Sequence, residues 1–305
     1  MEIIDRYKGC LLGLAVGDAL GTTLEFARPG EFMPITDMVG GGPFELEAGK
    51  WTDDTSMALC LAASLLEKNG FNTFDQMEKY LSWYKDGYMS SVPGQCVDIG
   101  NTTRDALLEF SESGQPICGA INRNTAGNGS LMRLAPIPMF FRTDLAEAIS
   151  KSGISSKTTH SAPQAIDACR YFAYLLLKAF NGEEKGNILS NLIQEQVFGN
   201  AIDHEILEII QGSFKRKSPP EIVSSGYVVK SLEAALWAFY HTDSFKEGAL
   251  KAVNLGNDAD TVGAIYGQIA GAFYGVGGIP SNWLQKLFKK NEIERMATEL
   301  FKINE

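Results

Sequence analysis

Histidine is scarce in this sequence. There are three, His160, His204 and His241, with no paired spacing, whereas zinc sites need clustered histidine or cysteine ligands. The five cysteines (Cys10, Cys60, Cys96, Cys118, Cys169) are scattered and never form a C-x-x-C pair. That usage points to reduced, mostly buried thiols and a cytoplasmic protein. Positive charge is also short. Lys and Arg number 27 against 37 Asp and Glu, a net charge of −10, which argues against a nucleic-acid partner. The one basic run, Lys215-Arg216-Lys217, sits beside Pro219-Pro220 and reads as a solvated loop. No apolar stretch reaches the ~18 residues of a membrane span. The N-terminus carries Glu2 and Asp5 where a secretory signal needs bases. Alternating β-branched runs are almost absent, and only residues 35–39 hint weakly at a strand.

Helical periodicity fills the rest. Apolar residues recur at i, i+3 or i+4 through residues 57–66, 74–83, 103–110, 165–180, 202–210, 228–240, 249–253, 262–273 and 293–301. The connections are polar and rich in Gly, Pro and Asn, and none is long enough to mark a boundary. The expectation is an all-α, compact multi-helical single domain over residues 1–305, acting as a monomer.

Glycine is in excess: 31 of 305 residues, about one in ten against a usual ~7%. Gly9, Gly13, Gly17 and Gly21 recur every four residues, and so do Gly263, Gly267, Gly271 and Gly275. A mid-helix glycine costs ~1 kcal/mol against alanine, so two such rows need a return. Bare i±4 positions leave a groove in which a partner helix can approach backbone to backbone. Lys8, Asp18 and Glu25 interrupt the first segment and argue against a membrane dimer. Both helices are expected in the crowded centre, against each other; flexible, poorly packed helix is the alternative.

Acids collect at the helix ends. Asp18 stands inside the first stripe and Glu25 follows it; Asp53 and Asp54 stand between Thr52 and Thr55; Asp258 and Asp260 precede Thr261. Helix capping is the plain reading, because acids and threonines accept free first-turn N–H groups and suit the positive helix end. One cap explains one aspartate, not two. Residues i and i+2 diverge within a helix but can converge on the turn before it. Crowded carboxylates protonate unless a cation sits among them, and hard oxygen ligands suit Mg²⁺ or Mn²⁺. Gly127-Asn128-Gly129-Ser130 is either a plain turn or a nest of N–H groups for an anion. Arg133 after it meets either a phosphate or a structural acid.

These segments, in this order, resemble the ADP-ribosylglycohydrolase family over nearly the whole chain. The matching motifs are Gly13 to Gly21 with Glu25-Phe26, Trp51-Thr52-Asp53-Asp54-Thr55, Asp98-Ile99-Gly100, Gly127 to Arg133, Thr159-His160-Ser161, Gly226-Tyr227-Val228-Val229 and Gly256 to Ala264. The resemblance implies an all-α fold around a central dinuclear metal site, with two divalent cations, Mg²⁺ or Mn²⁺. Thr52, Asp53, Asp54, Asp258, Asp260 and Thr261 match the metal ligands. Asp98, Ile99, Gly100, Asn128, Gly129, Ser130, Leu131, Met132, His160 and Tyr227 match substrate-binding positions, Tyr227 near the adenine.

The implied activity is hydrolysis of the bond joining ADP-ribose to a protein side chain. The implied partners are an ADP-ribosylated protein and the ADP-ribose product. Glu25, Asp258 and Asp53 are the candidate catalytic residues: Glu25 as acid/base, or only orienting a water, and the aspartates anchoring metal. The first two motifs look closer to the arginine-directed branch, so ADP-ribosyl-arginine is the expected substrate. The alternatives are serine-linked ADP-ribose, a non-catalytic ADP-ribose-binding module and a metal-dependent phosphohydrolase.

Overall fold

A computed structural model describes residues 1–191, 198 and 202–305 of the chain. Among these residues the regular structure is helical: α1 (Ile3–Gly21), α2 (Asp53–Lys68), α3 (Thr73–Asp86), α4 (Asn101–Ser113), α5 (Pro136–Phe140), α6 (Leu145–Lys157), α7 (Pro163–Phe180), α8 (Lys185–Ile188), α9 (His204–Ile210), α10 (Val228–Tyr240), α11 (Phe245–Val253), α12 (Ala259–Tyr274), α13 (Ser281–Lys286) and α14 (Lys290–Lys302). Short 3-10 turns (Thr22–Leu24, Arg123–Thr125, Ser213–Lys215 and Val276–Gly278) and isolated bridges accompany them.

α1 and α12 form the central pair. Every residue of α1 from Gly9 to Gly21 is buried, as is every residue of α12 from Ala259 to Ala272. The two glycine rows face each other in antiparallel order. A methyl on Gly9 would overlap the carbonyl of Gly271, one on Gly13 that of Gly267, one on Gly17 that of Gly263, and one on Gly21 the backbone of Asp260. Flexible helix is thereby excluded: the rows are bare because backbone fills the space. Arg6 closes the far end by donating to the last-turn carbonyls of Ala272 (3.0 Å) and Phe273 (2.9 Å), where the helix dipole is negative. The antiparallel sense has one consequence for chemistry. It puts the C-terminal end of α1 beside the N-terminal end of α12.

The weak strand expected at residues 35–39 is absent. The backbone of Ile35 instead bonds the side-chain amide of Asn254, which accepts from its N–H (2.8 Å) and donates to its carbonyl (3.0 Å). A side chain does there what a neighbouring strand would do. α6 was not among the periodic segments, because Gly153 and four serines dilute its apolar face. Its start is nevertheless marked by Asp144, which accepts the N–H of Glu147 at 3.0 Å.

The central contact gives a direct expectation. Gly267→Ala forces a methyl into the Gly13 carbonyl and destabilises the protein by about 1–3 kcal/mol, lowering the melting temperature by several degrees. A thermal melt superimposable on that of the parent would refute backbone contact at this pair.

Candidate metal centre and substrate cleft

Three acidic segments meet where α1 ends and α2 and α12 begin. Thr52 and Asp258 hold the N-cap positions of α2 and α12, yet neither side chain caps its own helix. The caps come from elsewhere in the chain. Asp18, fully buried on α1, accepts the N–H of Thr52 (2.9 Å) and of Thr55 (3.0 Å), together with their hydroxyls (2.8 and 2.6 Å). Glu25 accepts the N–H of Ala259 at 2.9 Å. Capping in trans leaves Asp53, Asp54 and Asp258 without that duty, so helix capping does not account for them.

What remains is a crowd of carboxylates. Oxygens of Asp18, Asp54 and Asp260 lie within 4.8 Å of one another, and so do those of Glu25, Asp258 and Asp260. The Thr52 hydroxyl has three carboxylate oxygens around it: Asp18 at 2.8 Å, Asp260 at 3.2 Å and Asp54 at 3.3 Å. It has one proton to give, and Asp18 is nearest. Its lone pairs are then left facing Asp54 and Asp260, an arrangement that repels unless a cation lies between. The other Asp54 oxygen is buried with no hydrogen-bond partner among the described residues.

Burial, reinforced by neighbouring charge, pushes Asp53, Asp54 and Asp260 well above the usual carboxylate range. Glu25 is raised by burial and then by the charge of Asp260. Burial also raises Asp258, which the Asn128 amide partly offsets. This donor set of carboxylates and hydroxyls fits divalent Mg²⁺ or Mn²⁺. Asp18 is the exception. Its two oxygens already accept four hydrogen bonds, so it braces Thr52 rather than offering a ligand.

The acids form one end of a cleft of about 800 Å³. Glu25, Asp53, Asp258, Asp260 and Thr261 line it, with Asp98, Ile99 and Gly100 on one wall and Gly127, Asn128, Gly129, Met132 and His160 on another. Thr52 and Asp54 lie behind the acidic end, fully buried. Ser130 and Leu131 are also behind the wall: the Ser130 hydroxyl pairs with Ser156 (2.8 Å), and the Leu131 carbonyl receives Gln268 (3.3 Å). Tyr227 is not part of the lining, and its hydroxyl donates to Glu205 at 2.5 Å.

Several walls have a visible structural cause. Asn128 does more than turn the chain, since its amide donates to Asp258 (2.7 Å) and Ser231 (2.8 Å) and so fixes the aspartate. Gly100 is the N-cap of α4 and has no side chain to cap it, so the positive helix end stands open at the wall. Asp98 adopts a left-handed φ of 58°, and its carboxylate accepts the Ile99 N–H at 2.7 Å. Burial raises it to about 6.

Sequence reasoning gave no role to Asp18, Phe26, Arg28, Asn257 or the 224–226 segment. Asp18 had a signal, being a charged residue on an otherwise apolar ridge between Gly17 and Gly21. Phe26 and Asn257 had only their places in the matching motifs, which name no role for them. Both hold left-handed φ values, 59° and 52°, and the Phe26 N–H bonds the Asn257 carbonyl (2.6 Å) while the Asn257 N–H bonds Ala27 (2.7 Å). This clip ties the Glu25 segment to the Asp258 turn.

A glycohydrolase of the ADP-ribosyl type is the class that this fold and acidic cleft define. The ADP-ribosylglycohydrolase family model matches residues 1–305, and the chain belongs to that family. It is 44% identical to the ADP-ribosylarginine hydrolase Tri1 of Serratia proteamaculans over 300 residues, covering 98% of this chain and 80% of that one. It is 34% identical to the ADP-ribosyl-[dinitrogen reductase] glycohydrolase of Rhodospirillum rubrum, covering 96% and 94%. A solved structure, an ADP-ribosylglycohydrolase-related protein complex, aligns with a TM-score of 0.88 at 42% identity over 100% of this chain and 99% of that one.

Three measurements test the site. Asp18→Asn keeps the shape but loses the acceptor pattern that holds Thr52. It should weaken Mn²⁺ binding by about 10–100-fold in calorimetry with the helical circular dichroism unchanged; parental affinity would remove the bracing role. The metal-free protein should gain stability as pH falls from 7 toward 5. Asp98, raised to about 6, binds a proton in the folded state before it does so unfolded. Saturating Mg²⁺ or Mn²⁺ should raise the melting temperature at pH 7. A flat metal response would contradict the centre.

Proposed function

We propose that the protein is a metal-dependent hydrolase that removes ADP-ribose from modified protein side chains by cleaving the N-glycosidic bond of ADP-ribosyl-arginine. The carrying observation is the unneutralised carboxylate crowd at one end of a cleft whose walls present amides and an open helix end. The arginine linkage draws support from the similarity to Tri1 and to the R. rubrum enzyme.

In this reading Thr52, Asp53, Asp54, Asp258, Asp260 and Thr261 hold two divalent cations, Mg²⁺ or Mn²⁺. Such cations supply charge neutralisation and Lewis-acid polarisation of ribose hydroxyls and water. Asn128 keeps Asp258 aimed, and Asp18 keeps Thr52 aimed. Glu25 has one oxygen fixed on the Ala259 amide and its carboxyl beside Asp260, and in this reading it exchanges a proton near the anomeric carbon. Bond breaking passes through an oxocarbenium-like state.

Asp98, Ile99, Gly100, Asn128, Gly129 and Met132 would bind ribose and diphosphate, with the free amides of Gly129 and Ser130 as donors; Leu131, whose amide and carbonyl are both bonded within the protein, would only support the loop. His160 shares that part of the cleft, and Tyr227 would stand near the adenine. Residues 1–305 act as one unit, a monomer in this reading. The scattered free cysteines support a cytoplasmic setting.

Mass spectrometry of products from arginine- and serine-linked ADP-ribosylated peptides tests both reaction and linkage. Free ADP-ribose with regenerated arginine is expected, and it should be abolished by EDTA or by Asp258→Asn without loss of helical circular dichroism. Release from serine alone would overturn the linkage. Phosphate as the product would overturn the reaction.

A further inference from the structure

Arg133 is fully buried, and among the described residues no carboxylate pairs with it. It meets neither a structural acid nor the cleft. Nη1 donates to the carbonyl of Gly129 (3.1 Å); Nη2 donates to Thr159 Oγ1 (2.7 Å) and Thr158 Oγ1 (3.3 Å). The guanidinium lies over the Tyr80 ring at 4.5 Å. A buried cation with only neutral partners is costly, so its contacts are the place to look for what it does.

Two of those contacts lead to the cleft. The first is the Gly129 carbonyl. In a trans peptide the C=O and N–H point in opposite directions. Drawing that carbonyl onto Arg133 therefore turns the Ser130 amide the other way, away from Arg133. The amides of Gly127, Asn128, Leu131 and Met132 already donate to backbone carbonyls, whereas those of Gly129 and Ser130 donate to no described group.

The second contact is Thr159. Its hydroxyl oxygen accepts from Arg133, and its single proton then has His160 Nδ1, at 2.8 Å, as its acceptor. This arrangement favours the tautomer in which Nδ1 accepts and the ring proton resides on Nε2. The His160 ring packs on the loop itself: a Cβ on Gly129 would stand 2.8 Å from Cε1, and one on Gly127 3.0 Å from Nε2. Burial and then the Arg133 charge hold His160 down to about 3, so the ring is neutral.

We propose that Arg133 is a positioning residue that never touches substrate but aims two N–H donors, His160 Nε2 and the Ser130 amide, at the diphosphate of ADP-ribose. This rests on the ADP-ribose reading of the cleft. It also explains why Gly127 and Gly129 flank Asn128: a side chain at either would push the imidazole off the loop.

Nitrogen-detected NMR of the histidine rings in the Mg²⁺-loaded protein reads the tautomer directly, and His160→Gln assigns the signal among only three histidines. His160 should be the Nε2–H tautomer. Thr159→Val and Arg133→Met should each release it to a mixture and weaken ADP-ribose binding about tenfold in calorimetry. Thr159→Ser should restore both readouts. Arg133→Lys, which has charge but no two-pronged fork, should not.

An Nδ1–H tautomer in the parent protein overturns the proposal, as does parental affinity in folded Arg133→Met. Should that variant not fold, Thr159→Val decides. Failure of the parent protein to bind ADP-ribose would instead overturn the functional reading and the diphosphate target, leaving the tautomer measurement to judge the relay.

Discussion

The backbone-to-backbone contact of α1 with α12 is the constraint on which the rest depends. Facing glycines let the two helices pass at a distance that no side chain would permit. Because the pair is antiparallel, the tail of one helix and the head of the other share one end. Asp18, Glu25, Asp258 and Asp260 are carried to that end. α2 then enters with its own head, and its first turn is bound to α1 through Asp18. Close packing at the centre thus becomes carboxylate crowding at the edge.

That crowding uses an economy of caps. A helix start leaves free N–H groups that local Asp or Thr side chains normally satisfy. Here the acids that satisfy them come from another part of the chain, Asp18 for α2 and Glu25 for α12. Of the local acids, Asp260 takes the Thr261 amide and Asp258 the Asn128 side chain, while Asp54 keeps a buried oxygen with no partner among the described residues. Such a site is unstable as bare protein and well suited to cations. The same exchange links stability to chemistry, because the residues that tie the helices together also decide which oxygens remain for a ligand. The opposite wall follows a similar logic, with the buried Arg133 spending its hydrogen bonds on neutral groups that lie behind the cleft, the Gly129 carbonyl and the Thr158 and Thr159 hydroxyls.

Much of this was legible in the chain. The four-residue glycine spacing announced two helices with bare grooves, and the paired acids at helix starts exceeded what capping needs. The loop at Gly127 to Met132 was legible only as an alternative between turn and nest. The structure shows it to be divided: Asn128 serves Asp258, Leu131 and Ser130 face the interior, and two amides stay free. Asp18 was visible as an acid on an apolar ridge, but its partners lay 34 and 37 residues away. Phe26 and Asn257 stood in matching motifs, but their pairing was not legible, since the clip forms between segments far apart in the chain. The hint of a strand at residues 35–39 failed because β-branched residues favour extended backbone without supplying a partner strand.

The sequence by itself determined the helical class, the glycine rows and the residue types able to hold hard cations, because periodicity, backbone freedom and ligand chemistry are local properties. Tertiary structure alone decided which oxygens are spent and which are spare. Whether a carboxylate caps, braces or is left to bind depends on donors brought to it from distant segments, and no local pattern records their arrival. The same holds for Arg133, whose neutral surroundings are a fact of packing rather than of composition.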